Sequence, residues 1–563
     1  MARNVAIGIQ SFEDIIKDNC FYIDKTDFIK EWWDSKDSVT LITRPRRFGK
    51  TLNMSMIEHF FSVNYADRGD LFEGLSIWQH EDYRQIQGAY PVISLSFASI
   101  KETDFDTTRY QICYLLQKQF EKFSFLQKSD KLSDAEKAYC KKMTVEISSV
   151  DATMALHQLS DFLYRHYGNK VIILLDEYDT PMQEAYVNGY WDEMVIFTRS
   201  LFNSTFKTNP YMERALMTGI TRVSKESIFS DFNNPEVVTV TSDKYATCFG
   251  FTEREVFVAL DEYGLSEEKE QVKAWYDGFT FGEYTDIYNP WSILNFLDKK
   301  KYATYWANTS GNRLVGKLLR EGNRNIKISF ETLLKGESIT SPIDDQIVYN
   351  RMGDNEAAVW SLLLASGYLK ILEYEKMNEI AVTRKPKYTL ALTNGEVARM
   401  FFAMVQDWFM ETEVVYNDFI KALLQNDLEA MNEYLSKLTT TVFSYFDTGK
   451  RVTGPEPERF YHGLILGLLT ELDSEYILTS NRESGFGRYD VMLEPRDKIK
   501  NAYIFEFKVH KPLKENTLEE TVENALKQIE EKQYETDLIA RGIPKENIYK
   551  YGFAFRGKEV LIG

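Results

Sequence analysis

The first 240 or so residues alternate two hydrophobic periods. Short apolar runs at Val39–Ile42, Tyr90–Phe97, Lys170–Leu175 and Arg214–Gly219 read as strands. The third run is apolar without alternation, the pattern of a strand buried on both faces of a parallel sheet. Between the strands, residues 106–145 place Tyr110, Cys113, Leu116 and Phe120 near a 3.6-residue period and read as helical. Strand and helix in turn predict an α/β parallel sheet over residues 1–245.

From about 250 to 450 the period is mostly helical. One stretch departs from it: a helix over Ala357–Leu364, strands at Tyr368–Leu372 and Tyr388–Leu392, and a helix opening at Asn394–Glu396. Helix, hairpin, helix is compatible with a winged-helix-like module and equally with a plain structural hairpin. Residues 246–445 are therefore expected to form a helical middle region. From about 446 to 563 the pattern is helix (Phe460, Leu464, Leu468, Leu472), strand (Tyr489–Leu493), strand (Ala502–Val509), helix (Leu518–Tyr534) and strand (Tyr549–Phe555). That is a second, smaller α/β unit.

The loop after the first strand reads Arg44-Pro45-Arg46-Arg47-Phe48-Gly49-Lys50-Thr51 and enters a helix. It matches the phosphate-binding pattern G-x-x-x-x-G-K-[ST] except that Arg44 replaces the first glycine. Arg47, Phe48 and Gly49 bring backbone to the phosphates, Lys50 reaches the β- and γ-phosphates, and the Thr51 hydroxyl ligates Mg²⁺. About 120 residues on, the buried run Ile172–Leu175 delivers Asp176 and Glu177 at its C-terminal end. Asp176 is placed to hold the Mg²⁺ and Glu177 to polarise the attacking water. Thr218 ends the next strand where a polar group can sense the γ-phosphate, and Arg222 follows where it can stabilise charge; capping or surface roles fit both equally. The expected cofactors are ATP and Mg²⁺.

In the C-terminal unit Asp490 precedes Glu506-Phe507-Lys508 by 16 residues. Strand alternation puts Glu506 and Lys508 on one face, where Asp490 from the neighbouring strand can join them. Two carboxylates can hold Mg²⁺ or Mn²⁺ against a scissile phosphate, and Lys508 can position the attacking water. The alternative is an ion pair on a solvated sheet face.

The motifs above, with Tyr22-Ile23-Asp24-Lys25-Thr26, Leu175-Asp176-Glu177-Tyr178-Asp179, Thr218-Gly219-Ile220-Thr221-Arg222 and Trp275-Tyr276-Asp277-Gly278, resemble the AAA-ATPase-like proteins of anaerobic bacteria. In that family the phosphate loop commonly begins with Arg. The resemblance covers nearly the whole chain, because such proteins usually end in a PD-(D/E)xK nuclease-like domain of restriction-endonuclease-like fold. It implies a bacterial cytoplasmic protein of Bacteroidetes or Clostridia type. Glu458-Arg459-Phe460-Tyr461-His462-Gly463 and Ser480–Asp490 resemble that terminal domain. By that match Glu458 is the helix-borne acidic residue, Asp490 and Glu506 are metal ligands, and Lys508 is the catalytic lysine. Gln528 and Tyr534 resemble the Gln and Tyr that some recombination-type nucleases carry on the following helix, at a longer spacing than Q-x-x-x-Y.

Charge and composition bound these expectations. The 563 residues carry a net charge of −18 and 44% apolar residues, a globular balance that excludes coating by nucleic acid over the whole surface. Residues 451–563 hold 17 basic and 20 acidic residues, so DNA affinity needs a focused patch such as Arg459, Arg482 and Arg488. The longest apolar runs are far short of a membrane span, and the opening MARNVAIGIQSFEDII shows no secretory signal pattern. Cys20, Cys113, Cys140 and Cys248 form no metal or disulfide spacing, which fits a reducing cytoplasm. The expectation is an ATPase with a metal-dependent nuclease domain, DNA as the partner, no membrane, and a homo-oligomer left open. A nucleotide-gated binding or regulatory protein with a degenerate nuclease fold, and an RNA-directed nuclease, are the rivals.

Overall fold

In the computed structural model, five parallel strands form the first sheet: β1 (Val39–Thr43), β2 (Val92–Ser96), β3 (Val171–Asp176), β4 (Met212–Gly219) and β5 (Glu236–Val238). Their order is β2-β3-β4-β1-β5. β1 and β3 are buried at every position, as expected of strands covered by helices on both faces. The four strands expected from the sequence are present, and β5 is an addition. The described residues are 3–207, 209–222, 235–307, 309, 313–321, 323–344, 355–376, 378, 380, 384–410, 417–446, 465, 469, 472, 475–480, 483–484, 487–488, 490–511, 514–556 and 559–563.

The chain falls into two compact units, each built from two pieces: 1–321 with 340–397, and 322–339 with 398–563. In the first, Trp32, Phe60, Phe61, Ile172 and Leu216 pack into one apolar cluster with the helix Lys50–Phe61. The stretch 106–145 is two helices rather than one, Phe105–Lys122 and Asp134–Lys142. The break has a local cause. Ser133 caps the second helix in a reciprocal capping box with Glu136, so the backbone must be extended there.

The region after 245 is less uniformly helical than its period suggests. β6 (Phe251–Thr252), β7 (Phe279–Phe281) and β8 (Tyr284–Tyr288) form an antiparallel sheet in the order β6-β8-β7. β6 and β7 carry too few residues to show a period of two, and β8 runs from exposed to buried without alternation. The expected hairpin is present as β10 (Leu369–Tyr374) and β11 (Lys387–Leu392), joined by β9 (Ile339–Pro342). The preceding helix Glu356–Ala365 is buried continuously from Ala358 to Leu364. It serves as a core helix and offers no exposed face along those residues.

The second unit carries β12 (Tyr476–Ser480), the two-residue pair β13 (Glu483–Ser484) and β14 (Gly487–Arg488), then β15 (Val491–Pro495), β16 (Ala502–Val509), β17 (Ile548–Arg556) and β18 (Glu559–Ile562). The main sheet runs β12-β15-β16-β17-β18, with β16 and β17 parallel and the other pairs antiparallel. One face packs Tyr503, Phe505 and Phe507 against Phe419, Leu423 and Leu435. The other packs Met492, Ala502 and Ile504 against Ile529, Tyr534 and Leu538. Among the described residues no helix is long and apolar enough to cross a membrane.

One glycine in this frame is fixed by space as well as by backbone. Gly278 has φ +109°, and a Cβ there would lie 2.1 Å from the carbonyl oxygen of Thr393. Gly278→Ala should cost about 2–4 kcal/mol and lower the melting temperature by roughly 3–5 °C. Gly49, with φ +80° and nothing within 4 Å of a built Cβ, should show a smaller shift on the same substitution in the same melting experiment.

Candidate functional site

β4 lies between β1 and β3, so the loops leaving β1 and β3 open on the same sheet edge with β4 between them. Gly49 takes φ +80° and caps the helix Lys50–Phe61, whose free N–H groups face the loop. Lys50 is 3% exposed; its ammonium donates to the carbonyls of Arg44 (3.1 Å) and Pro45 (3.0 Å) and lies 3.4 Å from Glu177 Oε1. The Thr51 hydroxyl donates to Asp176 Oδ2 at 2.7 Å. Thr218, fully buried on β4, donates its hydroxyl to Asp176 Oδ1. Burial pushes the Asp176 carboxyl above its ordinary range, with Glu177 adding to the rise. A hydroxyl beside a carboxylate is an all-oxygen donor set, which fits Mg²⁺.

A cavity of about 410 Å³ runs along this edge. It is lined by Arg46–Asn53, Asp176 and Glu177, by Gly8–Gln10 of the N-terminal segment, and by Gly250, Phe251, Pro290 and Trp291. The structure thus brings Arg47, Phe48, Gly49, Lys50, Thr51, Asp176 and Glu177 together. Thr218 stands behind Asp176 instead of in the cavity. Arg222 is half-buried and is not among the described residues that line it.

Arg44, which stands where the pattern has its first glycine, points away from the cavity. Its guanidinium is fully buried, donates to the carbonyls of Thr43 (3.0 Å) and Thr239 (2.7 Å), and lies 4.3 Å over the ring of Phe281. Burial pushes its pKa down to about 9. Asp179 is the other buried anchor. It accepts from the backbone N–H of Ile220 (3.1 Å) and Thr221 (2.8 Å) and from the Thr221 hydroxyl (2.7 Å), so it sets the turn after β4. In the N-terminal motif, Lys25 reaches Glu255 (2.7 Å) and the Thr247 carbonyl (2.8 Å), tying that segment beside the cavity.

In the second unit Val491 pairs with Phe505, which brings Asp490 and Glu506 next along the ladder. Asp490 Oδ2 accepts from the Phe507 N–H at 2.8 Å. Burial raises the Asp490 carboxyl while that N–H and Lys508 act against the rise. Glu506 is 3% exposed, and Lys508 Nζ lies 3.7 Å from its Oε1. Both face the helix Leu518–Glu531. From there Gln528 accepts from Lys508 Nζ (2.6 Å) and donates to Glu506 Oε1 and to the Tyr534 hydroxyl (3.1 Å). The long Gln-to-Tyr spacing is taken up by the chain: the helix ends at Glu531, and Gln533 turns through φ +54°. Tyr534 then folds back, donating its N–H to the Ile529 carbonyl at 3.3 Å. The half-buried carboxylate of Asp490, just before β15, and the buried one of Glu506 on β16 are a hard-oxygen donor pair that fits Mg²⁺ or Mn²⁺. Glu458, Arg459, His462 and Arg482 lie outside the described residues, and nothing is described of the Arg488 side chain.

Comparison with known proteins gives the class of each part. Residues 6–229 match the family described as predicted AAA-ATPase, and residues 456–563 match the PD-(D/E)XK nuclease superfamily. The chain therefore joins an AAA-ATPase-like domain to a nuclease-superfamily domain. A protein of Azotobacter chroococcum mcd 1, described as an uncharacterized protein in vnfD 5'region, is 24% identical over 554 residues, 96% of this chain and 95% of the relative. Two solved structures are similar over part of the chain. The Walker-type ATPase paby2304 of Pyrococcus abyssi is 14% identical with a TM-score of 0.33, over 69% of this chain and 97% of that one. The Aeropyrum pernix ORC2 protein is 10% identical with a TM-score of 0.24, over 68% and 93%.

Sequence reasoning passed over Asp179, Asn289, Trp291 and Trp306. Asp179 stands inside a quoted motif, but the other three come from a segment with no phosphate-loop signal. The Asp277 of Trp275–Gly278 belongs to another group. Glu253, Asp277 and Asp286 bring carboxylate oxygens within 4.8 Å of one another. Lys273 already sits among them, bonded to Glu253, 3.0 Å from Asp286 and 3.9 Å from Asp277. A resident ammonium makes this a structural charge cluster.

Burial raises the Asp277 carboxyl from 3.8 to about 7. Between those values the folded chain keeps a proton that the unfolded chain has lost. Its contribution to stability therefore declines as pH rises through that window. Asp277→Asn is neutral throughout and should flatten the fall in melting temperature between about pH 4 and 7, read by thermal melts across that range.

Proposed function

We propose that the chain hydrolyses ATP with Mg²⁺ in its N-terminal part, 1–245, and cleaves nucleic acid, with DNA as the substrate, in its C-terminal part, 446–563, the two joined through 246–445 in a bacterial cytoplasmic protein. The observation that supports the first activity is the meeting of Thr51 with Asp176, from a helix start and a strand end 125 residues apart. In this reading Lys50 leaves its loop carbonyls for the β- and γ-phosphates. Thr51 and Asp176 would hold the cation, which would supply positive charge beside the phosphates. Glu177, whose carboxylate faces Lys50, accepts the proton of the attacking water.

The second activity is supported by the Asp490, Glu506, Lys508 and Gln528 group. Asp490 and Glu506 would hold Mg²⁺ or Mn²⁺, with Glu458 as a third acidic residue. Lys508 would orient the attacking water and offset charge on the scissile phosphate. Gln528 fixes Lys508 and Glu506 relative to each other.

Lys50→Ala should abolish ATP hydrolysis. Glu177→Gln should still bind ATP and turn it over about 10²-fold or more slowly, with ATP retained on the protein in a filter assay. Hydrolysis by the Lys50 variant at the wild-type rate would refute the site.

Asp490→Ala and Glu506→Ala should each lose Mn²⁺ binding and cleavage together. Lys508→Ala should keep Mn²⁺ in calorimetry and lose cleavage by about 10²-fold or more. All three should hydrolyse ATP as the wild type does. Single- and double-stranded DNA and RNA, with and without ATP, form the substrate panel. Cleavage of RNA alone would make the protein an RNA-directed nuclease. Absence of cleavage on every substrate would make the second domain a nucleotide-gated binding module with a degenerate nuclease fold.

A further inference from the structure

We propose that Trp291 is a positioning residue of the nucleotide site: its indole holds the Arg47 guanidinium, and through it the left-handed turn that aims the loop N–H groups at phosphate. The inference rests on the nucleotide-site reading given above and adds to it a residue far outside the matched segment 6–229.

Arg47 has φ +63°. A side chain other than glycine keeps that conformation when its surroundings hold it there. The surroundings are specific. The guanidinium carbon lies 4.4 Å over the Trp291 ring, a cation–π distance. Trp291 lines the same cavity as Lys50 and Thr51. Its own place is fixed by Asn289, the cap of the helix Pro290–Lys299. Asn289 Oδ1 accepts from the Trp291 N–H at 2.9 Å, and its Nδ2 donates to the Arg46 carbonyl at 3.2 Å. One side chain therefore sets Trp291 and the phosphate loop relative to each other. The Trp306 indole donates to the same Arg46 carbonyl at 2.9 Å. Residues 46 and 47 are thus held by groups from 289–306. An anion-binding loop held in shape before the ligand arrives loses less freedom on binding. The stack should then set affinity for the nucleotide, while Lys50, Asp176 and Glu177 set the rate of the chemical step.

The test uses the full chain, with ATP binding by calorimetry and steady-state hydrolysis. Trp291→Leu should raise Kd and KM about three- to fivefold, the scale of a cation–π contact to an exposed guanidinium, with kcat within about twofold. Trp291→Phe, which keeps an aromatic face, should restore most of the affinity. In an Arg47→Gly background, where glycine takes the left-handed turn freely, Trp291→Leu should add less than about twofold. Trp291→Met is the second aliphatic variant should the leucine variant not fold. The proposal is overturned if an aliphatic variant binds ATP as the wild type does, if it restores affinity as well as phenylalanine, or if its effect persists undiminished in the Arg47→Gly background. A wild-type chain that binds no ATP overturns the nucleotide-site reading itself, and this inference with it. ATP binding by the wild type with unchanged affinity in the aliphatic variant overturns this inference alone.

Discussion

The carboxylate of Asp176 is the point on which the first site depends. It is taken out of water at the end of a strand buried throughout, and a buried carboxylate is stable only with partners. Two hydroxyls supply them: Thr51 from the helix after β1 and Thr218 from the intervening β4. The three-way bond fixes the ends of β1, β3 and β4 relative to one another. Lys50, held by the Arg44 and Pro45 carbonyls, then lies 3.4 Å from Glu177. The second unit solves the same problem with an amide. Gln528 bonds Glu506 through its N–H and Lys508 through its oxygen, so a carboxylate and an ammonium are held by one neutral group.

The phosphate loop is shaped from both sides. On the inner side the Arg44 guanidinium binds backbone carbonyls at Thr43 and Thr239. On the outer side Asn289 and Trp306 hold the Arg46 carbonyl. Phe48 packs against Phe279 and Phe281. A glycine-rich loop gets its shape from permissive backbone. This loop, with arginine at three of its positions, gets it from its surroundings.

What the sequence discloses follows from where the physics is local. β1 and β3 are legible because a strand buried on both faces is largely apolar without alternation, as in Ile172–Leu175. The meeting of Lys50, Thr51, Asp176 and Glu177 is legible because their residue types and spacing match the phosphate-loop and strand-end carboxylate patterns. Glu506 and Lys508 are legible because strand alternation alone puts them on one face. The direction of the Arg44 side chain is not, since an arginine in a loop reads as solvated unless its distant partner, the Thr239 carbonyl 195 residues away, is known. The joining of Gln528 to Tyr534 depends on one left-handed residue, Gln533, which leaves no mark in hydropathy. The wall from Gly250 to Trp291 was hidden for a related reason: it contributes backbone, rings and an amide, which carry no catalytic spacing. β6 and β7 are too short for any period to show, and β8 does not alternate: it is exposed at its start and buried at its end.

The second unit is assembled from separated stretches, 322–339 and 398–563, and this orders its making in time. The first stretch leaves the ribosome some 60 residues ahead of the next. The aromatic face of β16, with Tyr503, Phe505 and Phe507, needs β15 and β17 on either side, Val560 and Ile562 of β18 in the same cluster, and Phe419 and Leu435 against it. The unit cannot close until β18 has been synthesised, whereas β1–β5 and their helices are complete once residue 238 has emerged. Domains fold as units as they are synthesised, so the nucleotide-binding sheet can form early on the nascent chain. The second unit must wait for β18, and a cut anywhere between 340 and 397 leaves its two pieces on different fragments.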